Sequence, residues 1–125
     1  MAKASQAVIL ENEFYIIKAP NGKVLEVKNF NTENGAAIQL WSYAGHPWQQ
    51  WQFVDAGEGR WRIRNRFTGK FIDLALGGVV EGAWLHQWGR TSGLSQCWEL
   101  ESTRNGRTRI RNVLADKYID LVGMN

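Results

Sequence analysis

Apolar and polar positions alternate over short stretches of this chain and never settle into helical spacing. In Trp61-Arg62-Ile63-Arg64 every second residue is apolar, the period of a half-buried strand. Phe14-Tyr15-Ile16-Ile17 is a short run of β-favouring residues and predicts another strand. Turn signals interrupt the chain at Asn21-Gly22, Asn34-Gly35, Gly57-Glu58-Gly59, Thr68-Gly69, Gly77-Gly78 and Asn105-Gly106. Short strands divided by tight turns predict an all-β fold.

The pattern also repeats. Residues 61–74 read WRIRNRFTGKFIDL and residues 108–121 read TRIRNVLADKYIDL, an offset of 47. The same step backwards reaches residues 14–27, where Ile16, Lys23 and Leu25 to Val27 keep the pattern. Glu26 stands there where the other copies have Asp73 and Asp120. Two further blocks share the offset of 47: NGAAIQLW at 34–41 with EGAWLHQW at 81–88, and Gln49-Gln50-Trp51 with Gln96-Cys97-Trp98. Ser5 to Glu11 aligns with Ser95 to Glu101, so a first Gln-x-Trp-like strand is expected at the N-terminus, with Val8 in place of tryptophan. The unit then begins with the Gln-x-Trp strand, giving repeats at about 5–48, 49–94 and 95–125 within one domain. The third lacks one strand, as in a circular permutation. One repeat cannot bury its apolar face alone, so three must pack around an approximate threefold axis. Trp51 and Trp98 are expected to point inward with Phe53, Leu100 and Ile9. The missing strand leaves an expected open edge near Ile119 to Val122, which a homodimer would cover.

Composition narrows the function classes. The 125 residues are 44% hydrophobic and 22% charged, ordinary for a folded soluble domain. Seven tryptophans are an unusual share. The one cysteine, Cys97, excludes an intrachain disulfide, and its place in a strand predicts a small buried residue. No apolar run approaches a membrane span, and the N-terminus does not read as a signal peptide. A cytoplasmic location, or secretion without a classical signal, is therefore expected. A net charge of +3 is too small to imply nucleic acid by itself.

Three copies carrying Leu-Glu or Ile-Asp, Gln-Leu-Trp or His-Gln-Trp, and Gln-x-Trp resemble the ricin-B-type β-trefoil lectins over residues 5–125. The resemblance implies a β-trefoil with a shallow sugar pocket in each repeat. A carboxylate accepts paired hydroxyls, an aromatic ring stacks on the sugar's apolar face, and an amide completes the polar contacts. Carried over, the second repeat supplies Asp73, His86, Trp88, Ser95 and Gln96, with Ser95 where the family often has Asn. The first supplies Glu26, Gln39, Trp41, Trp48 and Gln49, with Glu for Asp and Trp48 at the Asn position. Tyr43, His46 and Trp48 either rebuild that pocket or form an apolar contact surface. In the third, Asp120 stands without a ring. The expected ligands are galactose- or N-acetylgalactosamine-type glycans, bound without cofactor or metal.

Other classes find less in the residues. His46 and His86 lack metal-ligand spacing, and Glu26, Asp73 and Asp120 belong to separate repeats, unlike a glycosidase pair. Arg60, Arg62, Arg64 and Arg66, and the set Arg104, Arg107, Arg109 and Arg111, read as solvated strand faces. A non-catalytic protein-interaction trefoil, a toxin-complex subunit or protease inhibitor, is the alternative, because the fold alone does not fix function.

Overall fold

The computed structural model describes residues 9–75, 85–102, 108–115, 117–121 and 123–124. Among these, every regular element longer than a single 3₁₀ turn is a strand, as the alternation predicts. The strands are β1 (Ile17–Lys18), β2 (Val24–Val27), β3 (Ile38–Trp41), β4 (Trp51–Gly57), β5 (Arg60–Asn65) and β6 (Phe71–Leu74). They continue as β7 (Leu85–Trp88), β8 (Trp98–Ser102), β9 (Thr108–Asn112), β10 (Tyr118–Leu121) and β11 (Gly123–Met124). One sheet runs β11-β1-β2-β3; the other runs β10-β9-β8-β5-β6-β7, with β4 on β5. All pairings are antiparallel. No helix among the described residues is long and apolar enough to cross a membrane.

The β4–β5 hairpin turns where glycine permits it. Gly57, Glu58 and Gly59 all hold positive φ, at 82°, 57° and 76°. Alternation then sends Trp51, Phe53 and Ile63 inward, where they meet Trp98, Ile72, Ile110 and Ile17, all without exposed surface. Each such side chain contributes about 1.5–3 kcal/mol by leaving water. Leu100 and Ile9 pack on this core half-buried, and Cys97 is buried as expected.

One sequence expectation changes. Phe14 to Ile17 does not form one strand. Tyr15 exchanges backbone hydrogen bonds with Trp51 at 2.7 and 2.9 Å, whereas Lys18 pairs with Val24. The chain changes partner between them, so the ladder is cut to a bridge and the short β1. Among the described residues β10 pairs with β9 alone and ends its sheet, the edge expected near Ile119, while β11 beyond it pairs with β1, Ile17 opposite Met124. The expected N-terminal strand, the Val8 substitution within it, and the turns at Gly77-Gly78 and Asn105-Gly106 lie outside the described residues.

Candidate functional site

The repeats agree down to single hydrogen bonds. The Trp51 indole donates to the Leu25 carbonyl at 3.0 Å, and Trp98 donates to Ile72 at 3.0 Å. Each of those carbonyls precedes a repeat's carboxylate, Glu26 or Asp73, so the buried indole fixes the strand that carries it. Asn65 Nδ2 donates to the Trp48 carbonyl at 3.0 Å, and Asn112 Nδ2 to Ser95 at 2.9 Å. Gln49 Nε2 donates to Ser42 O, and Gln96 Nε2 to Gly89 O, both at 2.8 Å. Their Oε1 atoms accept from Ala44 N at 2.8 Å and Thr91 N at 3.0 Å. These buried amides hold the loop beside each carboxylate, where a lost partner would leave backbone groups unpaired.

Around Glu26 this frame makes a cleft of about 320 Å³. It brings together all five residues expected from the first repeat: Glu26, Gln39, Trp41, Trp48 and Gln49. Cross-strand register puts Glu26 opposite Gln39. Both Glu26 oxygens already have donors: Gln39 Nε2 at 2.8 Å on Oε2 and Gln49 Nε2 at 3.0 Å on Oε1. Trp41 presents a 57% exposed ring at the end of β3. Trp48 instead sits among rings, with centroids 4.2 Å from His46, 5.0 Å from Phe30 and 5.6 Å from Phe67. His46, noted in the sequence, and Lys28, Asn29, Phe30 and Ala44, which carried no sequence signal, complete the lining. Asn29 and Phe30 hold left-handed φ of 57° and 44°. In non-glycine residues that conformation costs on the order of 1–3 kcal/mol each.

Around Asp73 the same frame has a different centre. His86 stands opposite Asp73, with Nε2 at 2.8 Å from Oδ2, taking the place of Gln39. Asp73 is one methylene shorter than Glu26, and Gln96 makes no bond to it matching that of Gln49. Oδ1 of Asp73 is buried and accepts no hydrogen bond among the described residues. A carboxylate oxygen in that state is an acceptor waiting for a donor. Trp88 is 39% exposed beside it, its ring centroid 5.5 Å from that of His86.

Thus Asp73, His86 and Trp88 gather as expected, and so does the first-repeat set. Gln49 and Gln96 differ from expectation: both are fully buried and bonded to loop backbone rather than turned outward. Ser95 lies beside Gln96 and contributes its carbonyl to Asn112. The side chain of Asp120 lies outside the described residues, while its backbone pairs with Arg109. Sequence reading passed over Asn65 and Asn112, although both end the repeated RIRN block. It also passed over Gln87, whose buried amide joins two sectors by donating to Asn31 and Glu33 carbonyls at 2.8 and 2.9 Å. The arginine strands carry ordinary surface contacts: Arg66 lies 4.3 Å over the Phe14 ring, and Arg111 bonds Glu99 and Glu101. Among the described residues no group of three or more His, Cys, Asp or Glu is placed to hold a metal.

Comparison with known proteins points the same way. The ricin-type beta-trefoil lectin domain-like family matches residues 6–88 and, in a second placement, 47–125. No match was found among curated protein sequences. Among solved structures, the chain is similar to the designed 3-fold symmetric protein ThreeFoil, with 27% identity and a TM-score of 0.76. That alignment covers 87% of this chain and 86% of ThreeFoil. An exo-beta-1,3-galactanase from Clostridium thermocellum, 1,3Gal43A, is 26% identical with a TM-score of 0.74, over 93% of this chain and 28% of the enzyme. The Polyporus squamosus lectin, bound to a sialylated trisaccharide epitope, shares the fold at 19% identity and a TM-score of 0.70, over 88% of this chain and 42% of the lectin.

Proposed function

Because this chain belongs to the ricin-type β-trefoil lectin domain-like family, we propose that it is a carbohydrate-binding domain whose second repeat holds the principal pocket. The observation that carries this reading is the Asp73–His86 pair, in which Oδ1 of Asp73 has no donor among the described residues, set on the same two strands as the exposed ring of Trp88. A pyranose laid on Trp88 would bring hydroxyls to that pair, and a small side-chain shift that uncovers Oδ1 would let a hydroxyl donate to the carboxylate, one of the stronger neutral-to-charged bonds. His86, bonded to the other oxygen, fixes the carboxylate's orientation and offers its ring edge to the ligand. Galactose-type sugars are the proposed ligands. The family resemblance supports them, as does the structural likeness to a galactanase at 26% identity. No catalytic step is proposed, since Glu26 and Asp73 are each bonded within their own repeat and do not form a facing pair.

A glycan array with wild type and Asp73→Ala tests the reading, with near-UV circular dichroism confirming that both are folded. The expected result is selective binding of galactose-terminated glycans, weakened about tenfold or more in the variant. Selective binding of other sugars, lost in the variant, would correct the ligand and keep the site. Binding unchanged in the variant would remove Asp73 from the site. Folded wild type that binds no glycan would overturn the lectin reading in favour of a protein-interaction role.

A further inference from the structure

We propose that the first-repeat cleft is built for a glycan two rings long, the outer ring lying on the wall formed by Phe30, His46 and Trp48. The proposal rests on the carbohydrate reading above and goes beyond it by making the two pockets unequal.

The cleft contains two aromatic surfaces, where the described residues of the second repeat supply the one at Trp88. Trp41 corresponds to Trp88 and supplies the inner surface, with no ring neighbour among the described residues. In sequence, the residues of the outer wall have no aromatic counterparts 47 positions on. Phe30, His46, Trp48 and Phe67 correspond there to Gly77, Gly93, Ser95 and Leu114. The 3₁₀ turn Pro47–Gln49 and its equivalent Leu94–Gln96 both form, so the fold does not require aromatic residues at these positions.

The wall also has features that packing alone does not explain. Phe30 is 57% exposed and sits at a φ of 44°, where its counterpart in sequence is glycine. An exposed ring in a strained backbone position gains nothing from the core. It does meet Trp48 at 5.0 Å, and His46 stacks on Trp48 at an interplanar angle of 12°. The three rings therefore brace one another and need no ordering when a ligand arrives. The cleft is also lined by the polar side chains of Glu26, Gln39, Asn29 and Lys28. A cleft lined by several ring faces together with hydrogen-bonding groups matches a chain of pyranoses, which presents C–H faces and hydroxyls together. It does not match a purely apolar partner.

The polar centre gives a further reason for length. Both Glu26 oxygens are already bonded to side-chain amides, unlike Oδ1 of Asp73. About half the acceptor capacity of Glu26 is thus already used within the protein, so an added ring contact carries more weight in this cleft.

The test uses the full chain carrying Asp73→Ala, so that the first cleft is read in isolation. Titration calorimetry compares methyl β-galactoside with lactose and β-1,3-galactobiose. The disaccharides are expected to bind roughly three- to tenfold more tightly than the monosaccharide. Adding Trp48→Ser or Phe30→Gly, which install the second-repeat residues, should remove that preference, lowering disaccharide affinity to that of methyl galactoside in the same variant. Trp48→Tyr should restore most of the preference, which a merely destabilised Trp48→Ser protein would not explain. A preference that survives both substitutions, or monosaccharide bound as tightly as disaccharide, overturns the proposal while the lectin reading stands. Absence of any sugar binding by folded wild type overturns both.

Discussion

Gln49 has no exposed surface, yet its amide meets four groups. Oε1 accepts from Ala44 N at 2.8 Å and His46 N at 3.4 Å, while Nε2 donates to Ser42 O and Glu26 Oε1. Replacing it by alanine would leave a buried carboxylate oxygen and several loop groups short of partners. A cost of about 2–4 kcal/mol is expected for Gln49→Ala, equivalent to a melting point lower by roughly 10 °C for a chain of this size. Thermal unfolding followed by tryptophan fluorescence checks this, and a shift within about 2 °C would deny Gln49 its structural role. The resemblance to the ricin-B-type lectins assigned Gln49 and Gln96 to the two pockets. It did not distinguish an amide turned to a ligand from one turned to its own loop, since that depends on where residues 42–46 fold back. The difference between Glu26 and Asp73 was visible as a substitution. Its consequence was not, because one methylene decides whether the neighbouring amide reaches the carboxylate.

At the scale of strands, each buried indole acts as a strut between two of them. Trp98 opens β8 and donates to the carbonyl of Ile72 in β6, one residue before Asp73. Trp98→Phe would keep most of the apolar volume but withdraw the one side-chain donor that carbonyl has among the described residues and leave a small void. A loss of about 2–4 kcal/mol is expected, read as a lower urea midpoint at unchanged slope. Sugar affinity should fall several-fold in the same variant, because β6 carries Asp73; Trp51→Phe should match it in stability but not in affinity for the second pocket. Equal affinity in wild type and Trp98→Phe would show that Asp73 is held by its ladder alone. Strands such as β4 and β5 were legible because alternation and a glycine turn act within one hairpin. The region around Tyr15 was not, because its strand changes partner from Trp51 to Val24, and the identity of a partner strand is not written in local periodicity.

At the scale of the molecule, the repeat offset of 47 foretold separate sectors, and the family resemblance implied a pocket in each. How firmly the sectors are joined was not foretold. Gln87, from the second, donates to the carbonyls of Asn31 and Glu33 in the first, and Thr68 donates to its Oε1 at 2.9 Å. The backbone adds Gly35 N to Gln87 O at 2.8 Å and Gln87 N to Ala36 O at 2.9 Å. Such a joint holds the two pockets at one fixed spacing rather than on a flexible tether. Fixed spacing gives high effective concentration where glycans match it and none where they do not. Trp41→Ala and Trp88→Ala each remove an exposed ring at small cost to the fold, so they silence one pocket at a time. In solution, each variant should keep the affinity of its untouched pocket for a soluble glycan. On a biosensor surface the outcome should depend on density. Sparse glycan should separate wild type from either variant by no more than a few-fold. Dense glycan should separate them by about a hundredfold, because only wild type can bind with both pockets at once. A wild-type advantage independent of density would mean that the two pockets never engage one surface together, and that avidity requires more than a single chain.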